Sequence, residues 1–120
     1  MPRIVMQITN EFKNEVPKKH FEKIGGNLQL ALAIALNEDP DKIEVFGQVP
    51  FFTLNPLPLT VDVVFSAGEK GFNLTWEEKE QVYNKLKEVL VETDKLPNGI
   101  DLGIWIMPSQ GGCFYLVEKR

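Results

Sequence analysis

The stretch LALAIALNEDPDKIEV, Leu30 to Val45, changes its period in the middle, and that change decides the fold. Up to its first half, apolar residues recur at steps of three and four: Phe21, Ile24, Leu28, Leu32 and Ala35. This is the period of a helix with one buried face. Pro17 suits the first turn, where its missing N–H does no harm. Asn37 to Asp41 (NEDPD) ends the helix, and Lys42 to Val49 (KIEVFGQV) alternates as a strand does. Gly25-Gly26 weakens the helix by roughly 1 kcal/mol per glycine relative to alanine, so a tight packing contact is expected there.

Working outward, Ile4 to Ile8 (IVMQI) reads as a short strand before this helix, and Thr9 to Val16 as a polar loop. The second half of the chain repeats the order. Leu59 to Ser66 is a strand, and Ala67 to Leu74 a glycine-containing loop. Thr75-Trp76-Glu77-Glu78 is a capping box, with Phe72 and Trp76 as a staple around it. A helix follows to about Thr93, with Val82, Leu86, Val89 and Leu90 inward. Leu96 to Gly99 turns the chain, Ile100 to Met107 is a fourth strand, and Gly111-Gly112 leads into CFYLV, a fifth, short strand or hairpin arm. Val5 and Val63 lie 58 apart, as do Pro17 and Thr75; Ile43 and Ile100 lie 57 apart.

These spacings describe one α/β domain made of a duplicated βαβ unit. Residues 2–49 form the first unit, 50–58 a proline-rich linker, 59–107 the second unit and 108–120 a C-terminal hairpin. Each unit should hold parallel strands joined by a right-handed crossover. Side by side they make a four-stranded mixed sheet with both helices on one face. The strands are too apolar to leave the other face wet, so oligomerisation is expected to cover it.

Bulk properties narrow the function. The net charge is −4 and the pI near 5.0, and the densest basic cluster is only Lys18-Lys19-His20. Nucleic acid, which needs a basic stripe, is a poor partner. No apolar run approaches the ~20 residues of a membrane span, and no secretory signal opens the chain. One cysteine, Cys113, permits no internal disulfide and fits a reducing cytoplasm. One histidine and no Cys/His cluster argue against a metal, and no cofactor motif is present.

The chain resembles the tautomerase superfamily on three counts. Pro2 heads the first strand directly behind Met1; Leu30 to Val45 is similar to the family's helix-to-strand passage; and Gly111 to Leu116 (GGCFYL) resembles its glycine-containing hairpin. The two-unit length is similar to members resembling macrophage migration inhibitory factor and the hydroxymuconate isomerases. The resemblance implies a homotrimer with sheets inside and helices outside. It also implies that Pro2, freed of Met1, is a general base moving a proton between the keto and enol forms of a small keto acid. The chemistry is sound on its own terms. An amine at the bottom of an apolar pocket loses solvation of its charged form, and its pKa falls towards working pH. On this reading Trp105 and Phe114 wall the pocket, and Lys70 holds the substrate's acid group. A second reading is a non-catalytic trimer of the same fold that binds a ligand or partner. It draws on a departure from the family. Relatives acting on dicarboxylates hold them with arginines, whereas this chain has only Arg3 and Arg120. A third reading is a ferredoxin-like binding module unrelated to the family, which a monomer would favour.

Overall fold

The computed structural model describes residues 2–51, 57–69, 71–107 and 113–120. Five strands form one sheet: β1 (Arg3–Ile8), β2 (Glu44–Gln48), β3 (Leu59–Val64), β4 (Ile100–Met107) and β5 (Cys113–Lys119). Three helices are α1 (Asn10–Glu15), α2 (Lys18–Leu36) and α3 (Trp76–Glu92), with a 3₁₀ turn at Pro40–Lys42. The strand order is β2-β1-β3-β4-β5. β1 pairs parallel with β2, β3 parallel with β4, and β1 joins β3 antiparallel. The two parallel pairs therefore lie back to back, as the duplicated pattern predicts. The C-terminal hairpin strand is not a short addition beside a four-stranded sheet: β5 has seven residues and joins the sheet as its fifth strand, antiparallel along β4 from Ile100 to Ile106.

Alternation along the strands divides the sheet into two faces. Ile4, Met6, Val61, Val63, Ile104 and Ile106 are all 2% exposed or less and carry the core. Above them the helices supply Ile24, Leu28 and Leu32 from α2, and Val82, Leu86 and Leu90 from α3, all buried. These two triplets correspond one to one at a spacing of 58. The strands keep a different spacing. Val5 lies on the open face and Val63 in the core, so 58 pairs opposite faces and an odd offset such as 57 is required. Pro2 thus corresponds to Leu59 rather than to Thr60, the position that the 58-residue spacing assigns. Leu59 has an ordinary peptide nitrogen, so the point is one of register.

Several local expectations change. Thr9 to Val16 is not a loop throughout: the Thr9 side chain accepts from the Phe12 N–H and opens the short helix α1, with Phe12 buried against Phe21. A Thr–Asn N-terminus without strong apolar periodicity hides this helix. Lys42 belongs to the 3₁₀ turn, started by the Asp39 side chain accepting from the Asp41 N–H. The Thr75–Glu78 capping box is present, but Trp76 is 59% exposed beneath the Lys79 ammonium and staples nothing, while Phe72 packs against the core. Gly25 has the expected tight contact: an added Cβ would sit 3.2 Å from Val45 Cγ1 and 3.4 Å from Met6 Sδ. Gly26 has none.

Lys119 is 3% exposed, and its Nζ donates to the carbonyls of Val91 and Thr93 at 2.8 Å each. It closes the C-terminus of α3, where carbonyls lack helical partners and a cation is favoured. Lys119→Met keeps the stem and removes both bonds. A loss of about 2 kcal/mol is expected, seen in urea unfolding as a lower midpoint at unchanged slope.

Candidate functional site

Two regions gather the residues that could carry chemistry. The first is the end of the sheet where β1 begins. Pro2 is buried, and its carbonyl accepts from the Glu44 N–H at 3.0 Å. Extending the strand registers by one residue sets Pro2 between Ile43 and Phe65, which are 2% and 5% exposed. Its surroundings are apolar, and it falls on the helix side with Ile4. β3 leaves the sheet just beyond, and the chain turns through Ser66 to Glu69. The Glu69 carboxylate accepts from the Ser66 backbone N–H and so is tied to this same end of the sheet. Burial alone would push the Glu69 carboxyl up, but favourable interactions of the carboxylate, the hydrogen bonds from Ser66 among them, hold the group below its ordinary range. Residue typing along the sequence misses Glu69. The signal is the Ser66-x-x-Glu69 spacing, the same interval as the capping box at Thr75–Glu78, in a loop following a core strand. Lys70, Met1 and the hairpin glycines Gly111 and Gly112 lie outside the described residues, as does the linker from 52 to 56.

The second region is the open face. One row crosses the whole sheet: Phe46, Val5, Asp62, Trp105 and Phe114, each the register partner of the next. The Trp105 and Phe114 rings lie 4.9 Å apart at 50°. Both are substantially exposed, at 39% and 43%. Leu116, two residues along β5 from Phe114, is exposed as well. Trp105 and Phe114 therefore meet each other, as the aromatic wall requires, but not Pro2 of their own chain. They lie on the opposite face, roughly 10 Å away along the strand and further across it.

Asp62 is the polar member of the row. Its Oδ2 accepts from Gln7 Nε2 at 3.2 Å, and Gln7 Oε1 accepts from Gln48 Nε2 at 2.9 Å. Oδ1 is buried and has no hydrogen-bond partner among the described residues. Burial pushes the Asp62 carboxyl above its ordinary range, partly offset by the Gln7 bond. A carboxyl raised by folding gives stability that is present in acid and lost as pH rises through the folded pKa. Asp62→Asn keeps an acceptor for Gln7 and removes the charge. It should stabilise the protein by about 1 kcal/mol at neutral pH, because it removes a partly desolvated charge while leaving the hydrogen-bonding pattern as it was. The gain should vanish below the carboxylate range, as paired thermal melts would show. Among the described residues no group of His, Cys, Asp and Glu side chains could hold a metal ion. No helix there is long and apolar enough to cross a membrane.

No family model and no curated protein sequence matches the chain. Solved structures do match, across most of its length. The structure of a Q0 fused 4-oxalocrotonate tautomerase, a wild-type symmetric trimer, aligns with a TM-score of 0.62 at 11% identity, covering 88% of this chain and 84% of that one. The structure of Pt0534 inactivated by 2-oxo-3-pentynoate aligns at 0.61 and 13%, with the same coverages. A DUF1904 domain of unknown function from Sebaldella termitidis aligns at 0.56 and 15%, covering 96% of this chain and all of that one. The chain thus shares its fold with these solved structures, a 4-oxalocrotonate tautomerase among them.

Proposed function

We propose that this chain is a keto–enol tautomerase acting on a small, mostly apolar keto acid, with Pro2 as general base once Met1 is removed. The observation that carries the reading is the position of Pro2. It is buried at the head of a strand between two apolar neighbours, in a fold shared with a protein that a 2-oxo acid inactivates. The free secondary amine takes a proton from the enol oxygen and returns one to the far carbon of the C=C bond, the carbon alpha to the carbonyl that forms. The step is an isomerisation and needs no co-reactant. Glu69, at the same end of the sheet, supports the cationic form of the amine. Lys70 holds the substrate's acid group as a point charge. Trp105 and Phe114 sit on the other face of their own chain, so they wall the pocket from a neighbouring copy in a homotrimer built on the open face. The cell compartment that fits one unpaired cysteine is the cytoplasm.

A second reading, a trimeric binding protein without catalysis, has one observation in its favour. Neither arginine reaches Pro2's end on the proline's side of the sheet. Arg3 is exposed on the open face, and Arg120 pairs with Glu118 at 3.3 Å at the opposite end of the sheet. Intact mass separates the two readings. Loss of one methionine leaves a free amine and supports catalysis. A retained Met1 makes the Pro2 nitrogen an amide without basicity, and the binding reading then stands alone.

A further inference from the structure

A cleft of about 620 Å³ runs between α2 and the edge strand β2. It lies on the helix side of the sheet and opens at the carboxyl ends of β1 and β2, the end away from Pro2. Its floor is apolar, from Ile8, Phe21, Val45 and Val49. Its lysines, Lys13 and Lys18, stand at one end, where α2 begins. Lys18 touches Glu22 only at 4.0 Å with both side chains exposed, a contact of little energetic weight. The other end reaches Gln29, whose side chain is already committed to the Ile43 carbonyl at 2.8 Å. From Lys18 to Gln29 the helix advances roughly 16 Å, the span of an extended acyl chain of medium length.

Gly26 gives the cleft its second argument. A glycine inside a helix costs about 1 kcal/mol against alanine. Gly25 returns something for that cost, because Val45 and Met6 close on it. Gly26 does not, since an added Cβ would meet nothing within 4 Å, and it lines the cleft. Gly26 is exposed, so packing within the chain does not offset the cost of this glycine.

From this geometry we infer that the α2–β2 cleft binds an elongated apolar monocarboxylate. Its chain lies along Phe21, Gly26 and Val45, and its acid group lies at Lys13 and Lys18. The uncapped first turn of α2, where Pro17 supplies no side-chain acceptor or charge, adds positive potential at the same end. The site opens at the end of the sheet away from Pro2 and stands whether or not the chain is a tautomerase.

The test is a titration of the full chain with decanoate, followed by amide NMR shifts, with decanol as the uncharged comparison. Saturable shifts centred on Gly25, Gly26 and Val45 are expected, with decanol at least about tenfold weaker, the value of one charge-assisted contact. Lys13→Ala/Lys18→Ala should weaken decanoate by about tenfold and leave decanol unchanged. Gly26→Leu should abolish both, and Gly26→Ala, which fills little, should bind and keep the same fold. Absence of saturable shifts overturns the inference. So does full binding by a folded Gly26→Leu protein, or equal affinity for decanol.

Discussion

Pro2→Ala should lower keto–enol turnover of a phenylpyruvate-type substrate by at least about a hundredfold, the ordinary contribution of a positioned general base. The substitution is a sharp one. Alanine, like proline, is a small second residue, so removal of Met1 should be unaffected and the intact mass can verify it. The variant then carries a primary amine in place of a ring-held secondary one, and only the geometry and basicity of the nitrogen differ. The Pro2 carbonyl still accepts from the Glu44 N–H, because that contact belongs to the backbone. The start of β1 should therefore stay in place, and a fall in kcat can be read as chemistry. A variant as active as the parent would remove Pro2 from the mechanism and leave the binding reading as the better account of the fold.

The parts of this molecule legible in the sequence are those where one physical pattern dominates. The α2 and α3 triplets, Ile24–Leu28–Leu32 and Val82–Leu86–Leu90, follow helical period without interruption, and the Thr75–Glu78 box marks an N-terminus by itself. Both helices, the strands and their pairing into two parallel pairs follow from these. Other features were hidden by competing signals. Helix α1 is short and polar, held by one cap and one buried ring, Phe12, so no period reveals it. The repeat register is off by one in the strands because a helix tolerates a shift of one residue more easily than a sheet does. In a strand one residue reverses the face, which is how Val5 and Val63 come to look equivalent in sequence and lie on opposite sides. The candidate site is legible only in pieces. Pro2, Trp105 and Phe114 can be picked out by type and position, but which face each occupies depends on register. Glu69 enters only through its backbone contact to Ser66.

Trp105→Asp should convert a homotrimer into monomers, lowering the native mass from about three times 13.6 kDa to 13.6 kDa. Trp105 matters differently to the single chain and to the assembly. Within one chain Trp105 is 39% exposed and its main contact is Phe114, itself 43% exposed, so the fold loses little when the indole goes. Across an interface the same position would lie within the mostly apolar row from Phe46 to Phe114, between Asp62 and Phe114. A carboxylate there would be desolvated with no partner, beside Asp62, its direct register neighbour, whose Oδ1 lacks a partner already. Two buried like charges on adjacent strands cost several kcal/mol, enough to dissociate an assembly of ordinary affinity. Retention of the native thermal transition in the monomeric variant would separate lost assembly from lost folding. If the parent protein is itself monomeric, the open face has no second copy to cover it. Trp105 and Phe114 then cannot reach any Pro2, and the tautomerase site proposed across the interface fails together with the trimer.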